Sequence, residues 1–508
     1  MSSSARTNYA IAADVGTQGT KVALVAFDGT HQATAFIPSQ LIRGGNGLVE
    51  QDPEEMLASV VRGIRSVVEQ SGVKQEQIAG IGIDGQMAGI LGIDEDWNTV
   101  MPFDSWLDRR CEATMPLIKE WGEEEYIRIT GCPVTYAHGP KIIWWRREQS
   151  EIYNRIAKFL VPSAYIAGKL AELKAEDAFI DHTHLHFTGF ADVEKEAWSD
   201  LLLQAFDIDK AKMPRIVRPW EVIGGLSSRY AQLTGLAQGS PIVAGCGDTA
   251  ASILGAGIVS SGQLFDVAGT ASVLSCCVDQ YKPDVGGKTL IYARSVLPEL
   301  WTPLAYINGG GGCLSWLRKQ TGSNYDELNQ LASVKQPGSG GLMFIPHYGG
   351  RVCPNQSSMK GSWSGLDFAH DKGDLFRSML EAIAYEYKYY LNTLEQLIGK
   401  ADYEEVRVTG GGARSSVFNQ IKADVLGIPY RVLNTVDSSL LAGALLVGKG
   451  TGMIANIADS VAGLTVATQS YYPDPGKRRQ YERYASHYLK TLNVMNDLYQ
   501  QLEQEVGG

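Results

Sequence analysis

The sequence predicts an α/β protein made of two similar halves, and three stretches predict it. The first is residues 9–29, YAIAADVGTQGTKVALVAFDG. Small or apolar residues run from Ala10 to Ala13 and end at Asp14; a second apolar run, Val22 to Phe27, closes on an Asp28-Gly29 turn. That pattern makes two short strands joined through Gly16-Thr17-Gln18-Gly19-Thr20, a hairpin whose turn is rich in glycine and hydroxyls. The second stretch, residues 262–275, reads GQLFDVAGTASVLS and repeats the pattern: a strand ending in Asp266-Val267, a Gly269-Thr270 turn and another apolar strand. Two such hairpins roughly 250 residues apart indicate an internal repeat of two half-molecules, each offering a loop to a shared cleft. The third stretch, residues 409–415 (TGGGARS), follows a short apolar strand and precedes a helical run.

The chemistry of these turns suits phosphate. Glycine lets backbone N–H groups approach an anion closely, and hydroxyls add donors. Asp14, at the end of its strand, is placed to hold a hydrated Mg²⁺ that bridges phosphate oxygens. Lys21 adds a positive charge beyond Thr17. An ordinary tight hairpin has the same letters, and the second copy is what favours the ligand reading. Around Gly411 and Gly412 a flat ring could lie on the backbone.

Composition bounds the rest. The chain has 508 residues, 44% hydrophobic and 20% charged, enough for two or three domains. A net charge of −11 argues against nucleic acid or an anionic membrane as the main partner, whereas backbone dipoles and a metal bind nucleotide phosphates whatever the global charge. The seven cysteines are scattered, with no C-x-x-C pair, so neither a disulfide framework nor a zinc ribbon is indicated. The N-terminus MSSSARTNYA has no apolar signal core and no apolar run approaches membrane-spanning length, which fits a reducing cytoplasm.

Taken in order, residues 50–56 (EQDPEEM) start a helix reaching to about Gln70: Asp52 caps, Pro53 sits where its missing N–H costs nothing, and two glutamates face the positive end of the dipole. Residues 78–84 form a buried strand ending in the loop Gly85-Gln86-Met87-Ala88-Gly89, at a carboxyl end where α/β sheets hold ligands. Trp106, Asp108 and Arg109 combine a flat apolar face with polar groups, as a polyhydroxylated ligand requires; a core tryptophan beside a surface ion pair reads the same. Residues 141–147 begin a helix continuing toward Ile152, with Tyr136 in the loop before it, and 162–170 form another. His182, His184 and His186, at period two, would share one face of a strand, but no fourth ligand for a metal is evident. In residues 240–255 (SPIVAGCGDTAASILG) a short strand and a glycine turn lead to Asp248 at the start of a helix. It either caps that helix or points its carboxylate into the site. Residues 306–313 (YINGGGGC) read as a flexible loop. Leu375, Met379, Ile383, Tyr387, Tyr390 and Leu394 form the core face of a long helix, and Tyr481, Tyr484, Tyr488, Leu492, Met495, Tyr499 and Leu502 that of a C-terminal one packed back onto the body.

Over nearly its whole length the sequence resembles the carbohydrate kinases of the FGGY family. Residues 361–381 (GSWSGLDFAHDKGDLFRSMLE) match that family's C-terminal signature, and residues 136–148 match the N-terminal one except at His138 and Trp145. The resemblance implies an actin-like ATPase (RNase H-like) fold of two similar domains, residues 1–255 with the sugar site and first phosphate loop and 256–508 with the nucleotide site and C-terminal helix, ATP and sugar lying between them. It implies that Asp14, Thr17, Gln18 and Lys21 serve ATP phosphates and Mg²⁺, that Gly269 and Thr270 form the second phosphate loop, and that Gly411, Gly412 and Asn419 lie at the adenosine. Asp248 would be the catalytic base, and Gln86, Met87, Trp106, Asp108 and Tyr136 would border the sugar. Gly85-Gln86-Met87 is similar to the G-Q-M-H-G loop of xylulokinases, with Ala88 in place of histidine, so a ketopentose such as D-xylulose is the leading substrate; ribulose, erythrulose, erythritol or a glycerol-like polyol, or a non-catalytic sugar sensor, are the alternatives. A homodimer is compatible with the family. A dinucleotide-dependent oxidoreductase is disfavoured, because no strand leads into G-x-G-x-x-G.

Overall fold

A computed structural model describes residues 8–269, 271–434 and 437–507. The chain forms two compact units, one comprising the described parts of Met1–Val259, Ala293–Leu300 and Thr435–Thr465, the other those of Ser260–Tyr292, Trp301–Asn434 and Val466–Gly508.

In the first unit the predicted hairpin is β1 (Tyr9–Val15) and β2 (Gly19–Ala26), extended by an antiparallel β3 (His31–Pro38). The apolar run ending at Asp84 is β4 (Ile78–Gly85), parallel to β1 with Asp84 directly beside Asp14. With β5 (Val222–Gly225) and β6 (Pro241–Val243) these make one sheet in the order β5-β6-β4-β1-β2-β3. β4 reads as an unbroken apolar run because both its faces are covered. The helix Ser438–Gly450 packs on β1 and β4. Gly82 permits that approach, since a Cβ there would stand 2.7 Å from the Gly443 carbonyl oxygen. The helix Pro53–Ser71 lies on β2 and β3 and starts as its letters predict, with Asp52 accepting from the Glu54 N–H at 2.9 Å.

The second unit repeats the plan. β7 (Leu264–Ala268), β8 (Ser272–Cys276) and β9 (Trp301–Ile307) are antiparallel neighbours, and β10 (Val406–Thr409) and β11 (Tyr430–Leu433) add in parallel on the β7 side. Three antiparallel strands followed by parallel ones is the order of the first sheet, so the repeat inferred from the hairpins extends to the topology. The helix Lys372–Ile398 buries Met379, Ile383, Tyr387, Tyr390 and Leu394. The C-terminal helix Pro475–Gly507 is fastened to it: Tyr481 donates to Glu381 at 3.1 Å and Tyr488 to Glu386 at 2.7 Å.

Three expectations are corrected. His182, His184 and His186 do not share a strand face: the strand ends at Asp181, and a 3₁₀ turn (His182–His184) runs into a short helix (Leu185–Thr188). Asp181 caps that turn by accepting from the Thr183 N–H, which breaks the period of two. Residues 306–313 are not a flexible loop, because β9 runs to Ile307 and a helix (Gly310–Thr321) begins three residues later. Along the C-terminal stripe Tyr481, Tyr488 and Leu492 are buried and Tyr484, Met495 and Tyr499 half-buried, but Leu502 is exposed. Among the described residues no helix is long and apolar enough to cross a membrane.

Candidate active site

At the end of β1, burial pushes the Asp14 carboxyl above its usual range, and the ammonium of Lys21, 3.6 Å away, works against that rise. The Ser439 hydroxyl lies within hydrogen-bonding distance of both Asp14, at 3.2 Å, and Asp437, at 2.8 Å, with one proton to donate, and Lys21 pairs with Asp437 at 2.8 Å. Asp437 and Ser439 open the helix Ser438–Gly450 and lie 416 to 425 residues from their partners, so no local motif announces them. Gln18 is exposed at the turn, its carbonyl accepting from the Ser39 N–H.

The predicted ligand loops meet through side chains. Trp106 Nε1–H donates to Thr17 Oγ1 at 2.8 Å, Thr17 Oγ1 to Gln86 Oε1 at 3.2 Å, and Gln86 Nε2 to Gln51 at 2.8 Å. The Thr17 hydroxyl thus ties the hairpin turn to Trp106 and the Gln86 loop. Ala88 has φ 61, in the left-handed region, which turns the chain sharply after Met87. Gly85 bridges Gly247, and a Cβ on Gly247 would meet Met87 Sδ at 2.4 Å, so Met87 lies against the backbone just before Asp248.

Asp108 behaves otherwise. Its carboxylate is fully buried, accepting from the Val49 N–H at 2.7 Å and from the Arg110 backbone and guanidinium, while Arg110 reaches Glu50 at 2.6 Å. Asp108 therefore shapes the loop and is already engaged on both oxygens. Lys141, buried, donates to Asp104 at 2.7 Å and to the Asp108 carbonyl at 2.9 Å, and Trp145 donates to Asp104 at 3.0 Å. The helix His138–Glu148 thereby fixes the segment carrying Trp106. Tyr136, just before that helix, lies with Arg109 5.9 Å from its ring centre.

Asp248 starts the helix Asp248–Gly255, where no side chain caps. The backbone and hydroxyl of Thr249 both donate to Oδ1, at 2.6 and 3.2 Å. Burial pushes this carboxyl up to about 6, Asp14 adds repulsion, and the Thr249 bonds and His184 pull the other way. The glycine turn before it is held from outside: the Gly247 N–H donates to Thr183 Oγ1 at 3.0 Å, and Thr183 bonds Asp181. Asp84 escaped sequence reasoning, although a lone carboxylate in an apolar strand was the signal. It is fully buried with neither oxygen hydrogen-bonded among the described residues, and burial, reinforced by Asp14 and Asp248, pushes it well above the carboxylate range. Among the described residues no cluster of three His, Cys, Asp or Glu side chains could hold an ion alone. Asp14 and Asp84, side by side, offer hard oxygens that fit Mg²⁺, an ion that keeps water and phosphate as further ligands.

In the second unit a cavity of about 420 Å³ is lined by Gly269, Ser272, Gly311, Tyr325, Gly411 and Gly412, among others. Three of the predicted nucleotide residues thus border one hollow; Thr270 lies outside the described residues. Asn419 is buried, and its Nδ2 donates to the Ala413 carbonyl at 2.8 Å, supporting the glycine turn from behind.

Residues 9–255 match the N-terminal domain, and residues 265–449 the C-terminal domain, of the FGGY family of carbohydrate kinases. The chain is 29% identical to the xylulose kinase of Escherichia coli (strain K12), covering 97% of this chain and 99% of that one, and 26% identical to the gluconokinase of Bacillus subtilis (strain 168), covering 98% of each. The ligand-bound xylulose kinase of Lactobacillus acidophilus superposes with a TM-score of 0.90 at 23% identity, over 97% of this chain and 99% of that structure, and shares its fold. With both domain matches on a doubled α/β fold, the chain belongs to the FGGY family of carbohydrate kinases.

Proposed function

We propose that this sugar kinase transfers the γ-phosphoryl group of Mg-ATP to a hydroxyl of a ketose or polyol, with D-xylulose the leading candidate and Asp248 the base. The supporting observation is the convergence, within the first unit, of the Gln86-Met87 loop, Trp106 through Thr17, and the turn ending in Asp248. Relatives named xylulose kinase and gluconokinase frame the substrate range.

In this reading Thr249 occupies Oδ1 of Asp248, and Oδ2 accepts the proton of the attacking hydroxyl. The hydroxyl oxygen forms the new O–P bond as the bond from phosphorus to the ADP oxygen breaks, and ADP leaves. Positioning and charge stabilisation supply most of the acceleration of such a transfer. Lys21, held by Asp437, offers its ammonium to phosphate oxygens. Asp14 and Asp84 would hold Mg²⁺, which when bound neutralises charge on the phosphate oxygens. The Gly269 and Gly411-Gly412 turns would take the nucleotide. The test is ADP release with and without a panel of ketoses, polyols and D-gluconate. Release dependent on D-xylulose or a near analogue supports the reading, and release indifferent to every compound would sink it.

A further inference from the structure

Resting on the reading of Asp248 as the base, we infer that Asp181 and His184 form a second polar anchor of the acceptor pocket, in which His184 Nε2 binds a hydroxyl of an uncharged sugar or polyol rather than the carboxylate of a sugar acid. His184 Nδ1 is bonded to Asp181 Oδ2 at 2.5 Å, which fixes the ring. The ring is fully buried, and its Nε2 has no hydrogen-bond partner among the described residues. An unpaired buried polar atom is costly, so one held this firmly is placed to receive a ligand. One connection locates it: Asp181 also binds Thr183, whose hydroxyl accepts from the N–H of Gly247, the residue just before Asp248.

The charge around this anchor selects the ligand class. Asp181 and Asp248 both stand within electrostatic reach of Cys246. The nearby ammonium of Lys21 is already paired with Asp437 and Asp14. His138 and His186, adjoining His184, add no counter-charge: burial holds both neutral, His186 down to about 3. Burial pushes Asp181 up, but His184 and Thr183 outweigh it and keep that carboxyl ionised. A substrate carboxylate entering here meets like charge, whereas a hydroxyl can donate or accept at a ring nitrogen.

The experiment compares wild type with His184→Asn, which keeps a donor to Asp181 but lacks the outer nitrogen, and with His184→Gln, whose amide extends to the outer position. Each full-length protein is assayed for KM of acceptor and of ATP, and for thermal stabilisation by D-xylulose, xylitol or D-gluconate with a non-hydrolysable ATP analogue. The expected result is an acceptor KM raised about 10- to 100-fold in His184→Asn, as for one lost hydrogen bond to a polar site. The ATP KM should stay near wild type, His184→Gln should retain most of the affinity, and D-gluconate should stabilise none of the three. Should His184→Asn fail to fold, His184→Phe, which fills the same space with neither ring nitrogen, carries the test: an acceptor KM raised with the ATP KM unchanged supports the assignment, and an unchanged acceptor KM overturns it. Wild-type acceptor KM in a folded His184→Asn would overturn the assignment alone, as would preferential phosphorylation of D-gluconate. No phosphorylation of any acceptor by wild type would overturn the underlying kinase substrate reading as well.

Discussion

Asp248 is the residue on which turnover should hang. Loss of a general base costs about 10²–10⁴-fold, so Asp248→Asn should lose sugar phosphorylation on that scale while ATP binding stays intact. Burial raises its carboxyl to about 6, and a base works only when ionised. The acceptor kcat/KM should therefore be full above pH 7 and fall as pH drops through about 6; a flat profile down to pH 5 would contradict the assignment. Position 88 makes a second test. Ala88 has φ 61, a conformation in which histidine is tolerated better than most residues, so Ala88→His should fold and add a polar group beside Met87. Preference should then shift toward D-xylulose, read as relative kcat/KM over ketoses and polyols, because a polar site rejects analogues lacking the matching hydroxyl more strongly than an apolar one. Unchanged ratios would mean that this position does not touch the acceptor. The sequence disclosed Gln86 and Trp106 through loop chemistry, but gave Asp108 a ligand role that its two engaged oxygens do not leave open.

Among the elements, the helix His138–Glu148 holds a lysine with a structural task. Lys141 lies fully buried against Asp104 and holds the segment that presents Trp106. Removing one partner of a buried ion pair leaves the other charge uncompensated, at a cost of about 3–5 kcal/mol. Lys141→Met should lose stability on that scale in urea unfolding followed by tryptophan fluorescence, and should raise the acceptor KM. Pairing it with Asp104→Asn should recover much of the loss, since no lone charge then remains; a single variant as stable as wild type would refute the buried-pair account. Helix starts were legible because caps are local: Asp52-Pro53 predicted its helix to the residue. The histidine segment was not, since a period of two cannot reveal that Asp181 turns its carboxylate onto Thr183.

At the scale of the molecule, the chain's path matters more than a single cut near residue 255. Residues of the stretch 435–465 belong to the first unit, and Leu441, Leu445, Leu446 and Val447 in the helix Ser438–Gly450 are buried in its core with Ala10, Ala12 and Val25. Burial of each such side chain stabilises by roughly 1.5–3 kcal/mol, in sum comparable to a domain's usual net stability. Residues 1–259 alone should thus expose an apolar sheet face, bind hydrophobic dye and melt without cooperativity. Joined through a flexible linker to residues 435–465, they should melt cooperatively. Cooperative melting of the shorter fragment would refute this.

What the sequence determined by itself is what short-range chemistry writes: two glycine hairpins, a glycine turn after a strand, a carboxylate opening a helix, and so the doubled fold and the kinase family. What only the tertiary structure decided is the fate of like letters. Asp14-Val15 and Asp266-Val267 hold matching places in the two hairpins. Asp14 remains half-buried beside Lys21 and Ser439, whereas Asp266 is sealed in the core by the Lys422 ammonium and by Tyr387, whose hydroxyl donates to it at 2.8 Å. Those partners come from 156 and 121 residues away. A carboxylate's role is set by the charges and donors that fold against it, and a local motif holds no record of them.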